Sequence, residues 1–394
     1  MNSGERISRR LCHGVSEQRN KEVPAGIGFL AGSVARSSNI VLVIPSLCDG
    51  GMERVMSELA RFLVARTTAQ VHLVLYGRKP VIFYPLPGEL RLHVPGTRFC
   101  DSRRWLSGLR RMLFLRREVS GIASPVVLSF GEYWNSFVIL ALLEKKVPLF
   151  LSDRCAPGKR LGGIHDLLRR RLYPRAAGII VQSASAERFY RQMFPGANLA
   201  VIPNPVREIV PAPPAEKEKM LLMVSRMITT KHHDRLLTIF SHLEAPGWRL
   251  VLVGGDDQHQ HHMDRLSQLA RTLGISDRVA FEGEQQEVDG YYRRAAIFLF
   301  TSSSEGFPNV VGEAMSAGLP VVSYDCVAGP SELITNGENG FLVPLFDDEL
   351  FVERVRQLVE DEALRHLMGA RARESMRRFR LEEVGQQYLN FMMS

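Results

Sequence analysis

Two doubly wound α/β domains, each built on a parallel sheet, are predicted for this chain, and three observations predict them. Short apolar runs rich in Val, Ile and Leu alternate with segments of helical periodicity. That alternation runs its course twice, and a proline-rich stretch separates the two rounds. The strands are continuously apolar rather than alternating, as they are in a parallel sheet covered by helices on both faces.

Residues 1–37 carry Ser, Gly and Arg without periodicity and read as a poorly ordered extension. The first domain is expected over 38–205. NIVLVIPSL is its first strand, followed by the turn Cys48-Asp49-Gly50-Gly51. The helix MERVMSELARFLVAR comes next, with Met52, Val55, Met56, Leu59, Phe62 and Leu63 at helical spacing. VHLVLYG, PVVLSF, PLFLSD and GIIVQS supply further strands, with helical segments around Arg103–Arg117 and His165–Tyr173 between them. PNPVREIVPAPPAEKEK, from Pro203 to Lys219, holds five prolines and a charged end. It can be neither a helix nor an interior strand, so 206–219 is expected to be a linker. The pattern then restarts over 220–394 with MLLMVS, RLVLVGG, RVAFEG, AIFLFTS, PVVSYD and GFLVP. Two such domains are expected to face each other across a cleft, with the last helix packing back on the first. Ligands of such sheets bind outside the carboxyl ends of the strands.

With 394 residues, 45% apolar and 23% charged, the chain is long enough for two ordinary cores and is not a disordered sequence. No stretch reaches the roughly 18 to 20 apolar residues of a membrane span, and GIGFLAGSVA is too short and glycine-broken for a signal peptide. A cytoplasmic protein is expected. The five cysteines (Cys12, Cys48, Cys100, Cys155, Cys326) are scattered and odd in number, which suits a reducing compartment. His259, His261 and His262 in QHQHH have no second ligand cluster, and no metal is expected. The net charge of +8 comes without an aromatic-rich basic motif, so nucleic acid is not an expected partner. CDGGMER does not supply the G-x-G-x-x-G turn of a nicotinamide enzyme.

Chemistry concentrates in SSSEGFPNVVGEAMSAGLPVV, where Glu305 stands on a loop and Glu313 eight positions on, inside the following helix. Isolated, both glutamates could simply be solvated. Their place decides otherwise: AIFLF is a strand, TSSSEGFPN the loop at its carboxyl end and VVGEAMSA the helix. Unpaired N–H groups at that helix start suit a phosphate or a sugar hydroxyl, and Glu313 could accept from the vicinal hydroxyls of a ribose. VSRMITTK places Arg226 and Lys231 on a second strand-end loop, where two cations can neutralise a diphosphate without a metal.

Together EGFPNVVGE, SRMITTK, GGMERV, IPNPV and GENGFLVP resemble, in order and over about residues 38–390, the retaining glycosyltransferases of family 4, also called group 1. The resemblance implies the GT-B fold, two Rossmann-like domains facing across a cleft. EGFPN and YDCVAGPSELI are most similar to the branch that builds bacterial surface polysaccharides, lipopolysaccharide cores and lipid-linked oligosaccharides, often from a UDP-sugar. It implies transfer of a hexose or N-acetylhexosamine to a glycan or lipid-linked acceptor, forming an α-glycoside, with no cofactor beyond the nucleotide-sugar co-substrate. Carried over by position, the diphosphate contacts fall on Arg226 and Lys231 and the ribose contact on Glu313. Glu305 lies against the donor sugar, and the backbone of Gly306, Phe307, Pro308, Asn309 and Val310 grips sugar and phosphate. Gly50 and Gly51 form the glycine turn near the diphosphate, and Gly254 and Gly255 the loop beside the nucleotide. A non-catalytic sugar-nucleotide or partner-binding protein of the same fold is the alternative.

The chain departs from the family at LSFGEYWN, which offers Glu132 and Asn135 where many relatives have a histidine. LSDRCAPG resembles the S-E-R-N segment of the polysaccharide branch, with Asp153 in the acidic position, which implies Arg154 as an acceptor-site candidate beside Glu132 and Asn135. The basic excess lies in the first domain, +16 over residues 1–210 against −8 over the rest. Within it, RRWLSGLRRMLFLRR is expected to be a helix with Trp105, Leu106, Leu109, Met112 and Leu113 on one face and Arg103, Arg104, Arg110, Arg111 and Arg117 opposite. That pattern suits the anionic inner surface of the cytoplasmic membrane, or equally an apolar face packed on the sheet.

Overall fold

The computed structural model of the protein describes residues 39–96, 104–213, 216–256 and 262–394; the extension read over 1–37 lies outside them. The chain divides into two compact units, one running to Pro205 and completed by Leu381–Ser394, the other Val206–Arg380.

The first unit carries the strands β1 (Asn39–Ile44), β2 (Gln70–Leu75), β3 (Arg91–His93), β4 (Pro125–Phe130), β5 (Leu149–Ser152), β6 (Gly178–Val181) and β7 (Leu199–Val201). They pair in the order β3-β2-β1-β4-β5-β6-β7, every pair parallel. Because successive side chains leave a strand on opposite faces, β1 feeds two cores. Ile40, Leu42 and Ile44 pack with Val55, Met56, Leu59 and Leu63 of α1 (Gly51–Arg66). Val41 and Val43 pack with residues of α2 (Arg104–Ser120), α3 (Glu132–Ala141), α4 (Gly163–Leu172) and α5 (Ala184–Met193) on the other face.

The second unit repeats the plan with β8 (Met220–Val224), β9 (Arg249–Val253), β10 (Val279–Gly283), β11 (Ile297–Phe300), β12 (Val321–Asp325) and β13 (Phe341–Pro344). The order is β10-β9-β8-β11-β12-β13, again all parallel. Its helices are α6 (His233–Ser241), α7 (His262–Thr272), α8 (Asp289–Arg294), α9 (Asn309–Ser316), α10 (Asp348–Glu360) and α11 (Glu362–Ser375). The strand order reverses between β1 and β4 in one sheet and between β8 and β11 in the other, so each unit has one switch point at which neighbouring loops diverge.

The expected linker is not a solvated connector at its start. Val206, Ile209 and Ala212 are buried, and the first two join the core of the second unit with Phe307, Val311 and Phe379. Proline forbids regular structure there but not packing. A Cβ on Gly312 of α9 would fall 2.7 Å from Val206 Cγ2, so a glycine is what lets that helix lie against the segment. Ser316 Oγ donates to Arg207 O at 2.9 Å and accepts from Ile209 N–H at 3.2 Å.

After the second unit the chain returns to the first for α12 (Leu381–Met393). Val384, Tyr388 and Met392 enter the core that α1 lines, and Phe391 meets Phe150 edge-on at 5.4 Å. A Cβ on Gly385 would lie 2.5 Å from the Phe62 ring. Gly385→Ala should therefore force that ring aside and destabilise the first unit by about 1 to 3 kcal/mol. Urea denaturation measures this, and an unchanged midpoint would contradict close packing of α12 on α1.

Candidate functional site

In the second unit, the loops leaving the adjacent strands β8 and β11 carry the predicted charges. The loop after β8 is held from below by β9. Ser225 N–H donates to Val253 O and Met227 N–H to Gly255 O, both at 2.9 Å. Gly254 has φ +146°, and a Cβ there would stand 1.9 Å from Ser225 O and 3.2 Å from Arg226 N, so only glycine brings the two loops this close. Gly255 faces Glu284, whose Oε2 would lie 3.2 Å from an added Cβ. Ser225 Oγ is hydrogen-bonded to His233 Nε2 at 3.0 Å; burial pushes that imidazole down to about 3, so it stays neutral at ordinary pH.

Lys231 lies in the short turn Thr229–Lys231, and its Nζ forms an ion pair with the carboxylate of Glu305 on the loop after β11. Glu305 is 3% exposed, and the ammonium also stands 5.1 Å over the Phe300 ring. The structure thus brings together two residues that the sequence assigned to separate contacts. Hydrogen bonds hold the loops in that register, among them Thr301 Oγ donating to Lys231 O at 2.8 Å, Ser303 N–H to Thr230 O at 2.9 Å, and Ser303 Oγ meeting His232 Nε2 at 2.8 Å. His232 sits at φ +51°, an unusual place for a residue with a side chain. Arg226, on the same loop after β8, is half-buried.

Glu313 belongs to a different charge cluster. It is 8% exposed on α9, accepts from Tyr292 Oη at 3.1 Å and lies 3.6 Å from Arg207 Nε. Arg207 also pairs with Asp289. Burial works against the Arg207 charge, yet Glu313 and Asp289 hold its pKa above the usual value. Arg207 was missed because the sequence assigned its stretch to a linker; the charged pair Arg207-Glu208 set between the apolar Val206 and Ile209 was the available signal. Between the glutamates, the Phe307 side chain is fully buried against Phe379, and Asn309 opens α9 with Pro308 at the N-cap. Pro308 O accepts from Val311 and Gly312 N–H, at 2.9 and 3.1 Å. Gly306 and Val310 complete the loop and the first turn, so what this stretch can offer a ligand is chiefly backbone.

In the first unit the glycine turn lies at the switch point, but Gly50 has ordinary extended geometry (φ −101°, ψ 159°) and Gly51 begins α1. No left-handed backbone requires glycine at Gly50. Tyr84 Oη donates to Gly50 O at 3.1 Å. Glu53, which the sequence did not single out, is 4% exposed in the first turn of α1, and burial pushes its carboxyl up to about 8. Glu132 opens α3 after Gly131, whose φ of +104° does call for glycine. Its Oε2 accepts from Arg154 N–H at 3.4 Å.

Asn135 and Arg154, expected as acceptor-site candidates, are both buried with partners inside the unit. Asn135 is wholly buried: its Oδ1 accepts from Ser129 Oγ at 2.7 Å, and its Nδ2 donates to Asp153 Oδ1 at 2.7 Å and to Ser152 O at 3.2 Å. Asp153 also accepts from Tyr173 and Tyr190, and burial, with the nearby Glu132 charge, pushes it up to about 6. Arg154, 5% exposed, donates to Asn204 and to Tyr388 Oη (3.0 Å) with its guanidinium 3.9 Å from the Phe130 ring centroid. It ties α12 to the sheet.

The basic helix also departs from expectation. Arg103 lies outside the described residues, and Arg104 begins α2. The buried stripe is Ser107, Arg111, Leu115 and Val119, while Trp105, Leu109 and Leu113 are 65%, 46% and 55% exposed. Arg110 is exposed. Arg111 is not a surface cation: its Nε donates to Tyr76 O at 2.8 Å and its guanidinium stands 5.0 Å over Trp134. Asp257, His259 and His261 lie outside the described residues; among those described, no cluster of three His, Cys, Asp or Glu is placed to hold a metal. No described helix is long and apolar enough to cross a membrane.

Comparison with known proteins agrees with this geometry. Residues 49–208 match the profile described as Glycosyltransferase Family 4, and residues 207–375 the profile described as Glycosyl transferases group 1. The chain is 32% identical over 237 residues, 59% of its length, to the exopolysaccharide phosphotransferase of Streptomyces coelicolor, of which it spans only 25%. It is 23% identical over 359 residues to a Campylobacter jejuni protein named GalNAc-alpha-(1->4)-GalNAc-alpha-(1->3)-diNAcBac-PP-undecaprenol alpha-1,4-N-acetyl-D-galactosaminyltransferase, covering 90% of this chain and 98% of that one. The fold is similar to that of Anabaena Alr3699/HepE in complex with UDP, with a TM-score of 0.75 at 18% identity, over 89% of this chain and 98% of that one. With two adjoining profiles over two Rossmann-like units, the chain belongs to the group 1, family 4 glycosyltransferases and has the GT-B fold.

Proposed function

We propose that the protein moves a hexose or N-acetylhexosamine from a nucleotide-diphosphate sugar, with UDP as the nucleotide, to a glycan or lipid-linked acceptor during synthesis of a bacterial surface polysaccharide or lipopolysaccharide. The observation that carries this reading is the Lys231–Glu305 pair at the switch point of the second sheet, with Arg226 on the same loop as Lys231. A diphosphate that enters there meets two cations and the amide groups at the start of α9, which supply charge without a metal. The similarity to the undecaprenol-linked Campylobacter enzyme supports the lipid-linked acceptor, and that to the UDP complex supports the nucleotide.

In this reading Lys231 turns from Glu305 toward the diphosphate as the glycosidic bond lengthens, and Arg226 shares the growing negative charge. Glu305 orients the donor sugar and stabilises the positive charge that develops on its ring. The leaving diphosphate takes the acceptor's proton on the face where the sugar was attached, which gives retention and an α-glycoside. Glu313 holds the ribose, and the protein works on the inner face of the cytoplasmic membrane, with the outward stripe of α2 against the lipid.

Replacing Arg226 or Lys231 by alanine should weaken UDP binding at least tenfold, since each charge-assisted contact contributes about 1.5 to 3 kcal/mol. Calorimetry with UDP tests this, and wild-type affinity in both variants would remove the diphosphate assignment. The two glutamates should separate kinetically. Glu305→Gln is expected to lower kcat more than tenfold with little change in donor KM, whereas Glu313→Gln should chiefly raise KM. The opposite split would exchange their roles. Donor turnover should also survive EDTA; a strict need for Mn²⁺ or Mg²⁺ would contradict charge supplied by Arg226 and Lys231.

A further inference from the structure

The exposed apolar stripe of α2 has a counterpart two helices away. On α4, Ile164 and Leu167 are 69% and 54% exposed, while Leu172 and Arg169 face inward. Lys159 and Arg160, just before that helix, and Arg170 and Arg171, in its last turn, are all exposed. Arg169 is not among these surface cations: it is 4% exposed and lies 3.4 Å from Asp166.

Topology puts the two stripes on one side of the unit. The strands run β3-β2-β1-β4-β5-β6-β7, and α2, α3 and α4 make the successive crossovers from β3 to β6, all packed on the same face of the sheet. Both α2 and α4 pack against α3. The surface of α3 between them is aromatic and only partly covered, with Tyr133, Trp134 and Phe137. Lys159, exposed, stands 5.6 Å over Tyr133 from the α4 side, while the buried Arg111 holds Trp134 and Phe137 from within. Partly covered aromatic rings beside an exposed lysine, flanked by exposed Ile, Leu and Trp, form the layered chemistry of a lipid–water interface. A fold gains nothing from large apolar side chains held out in water, so a patch of this kind marks a surface that something covers.

We propose that α4 is a second membrane-docking element. The α2–α3–α4 layer would then lie as one face on an anionic bilayer, with Ile164 and Leu167 entering the headgroup region and Lys159, Arg160, Arg170 and Arg171 on the lipid phosphates. The charge complementarity selects the occupant: these exposed cations have few acidic neighbours, and an apolar pair set among them fits lipid rather than nucleic acid. The proposal rests on the membrane-surface reading of α2 and extends it, because contact at two helices on either side of α3 fixes which face meets the bilayer, which one helix alone would leave free to roll.

The test is flotation of the full chain on phosphatidylglycerol vesicles, with phosphatidylcholine vesicles as the neutral control. Three variants are compared with the wild type: Ile164→Ser with Leu167→Ser, Arg170→Gln with Arg171→Gln, and an α2 variant carrying Trp105→Ser, Leu109→Ser and Leu113→Ser. Each should float at least about tenfold less well on anionic vesicles, the arginine variant losing its deficit as salt rises and the apolar α4 variant keeping it. Thermal melting and UDP binding should match the wild type, which separates lost docking from lost folding. If both α4 variants float like the wild type while the α2 variant does not, α4 is no part of the footprint and the α2 reading stands. If the wild type does not float at all, both fall, and UDP binding still reports separately on the transferase reading. A wild-type dimer in sedimentation that the α4 variants dissolve would assign the face to a second copy of the chain and overturn the proposal.

Discussion

A sheet whose strands all run parallel cannot be closed by hairpins. Every connection must travel back along the outside of the sheet, and the loop that begins each return leaves from the same edge. Both units obey this constraint, and most of the chemistry follows from it. Lys231 and Glu305 are far apart in the chain, yet the loops that hold them start from β8 and β11, which are hydrogen-bonded neighbours. The switch in strand order opens a gap between the return helices at that point, so a charged loop there is not forced under one. Gly50, Glu132 and the buried Glu53 stand at the equivalent place in the first unit.

Within that frame, the two glutamates of the second unit's site are each held by a cation. A lone carboxylate at 3% exposure would be strongly disfavoured, and the partly buried Lys231 ammonium relieves Glu305. The pair has a functional cost and a benefit. Glu305 competes with a diphosphate for Lys231, but it also keeps the lysine aimed while no ligand is bound. Glu313 is treated in the same way by Arg207 and Tyr292. Arg207 comes from the segment directly after the crossing between the units, where Val206 is seated against Gly312 and Ser316 is bonded to Arg207 O. The helix that carries Glu313 therefore rests on the strap by which the chain enters the second unit.

The legible part of this protein was the part written in periodicity and glycine. Strands β1, β4, β8, β9, β11 and β12 are buried apolar runs, and burial on both faces leaves little else a sequence could use there. Gly254 stood out as a glycine at a strand end, and the structure supplies a packing reason for it in the backbone of Ser225 and Arg226. Gly50 had no such reason in its own backbone. What was not legible depended on partners distant in sequence. Asn135 looks like a polar residue near a strand end and is in fact consumed by Ser129, Ser152 and Asp153. Arg154 is anchored by Tyr388, which enters this unit only because the last helix returns to it. Arg207 was hidden by its prolines, since absence of regular structure was taken for absence of packing.

Helix α2 shows how one buried polar residue can invert the meaning of an amphipathic pattern. A wheel drawn from the sequence puts Trp105, Leu109 and Leu113 on one face and all the arginines, Arg111 included, on the opposite one. The helix instead turns the stripe of Ser107, Arg111, Leu115 and Val119 inward, so two polar residues occupy core positions. Arg111 is tolerated there because its Nε finds the Tyr76 carbonyl and its flat guanidinium lies over Trp134, Phe137 and Tyr76. A buried arginine satisfied this way fixes the rotation of the helix, because turning it by one position would leave that carbonyl and the guanidinium unpaired. The rotation that satisfies Arg111 is the one that holds Trp105, Leu109 and Leu113 out in water. That exposure is therefore a by-product of burying Arg111 before it is anything else, and the proposed docking face makes use of it: Ile164 and Leu167, exposed on the same side of the sheet, would meet the same apolar phase from outside.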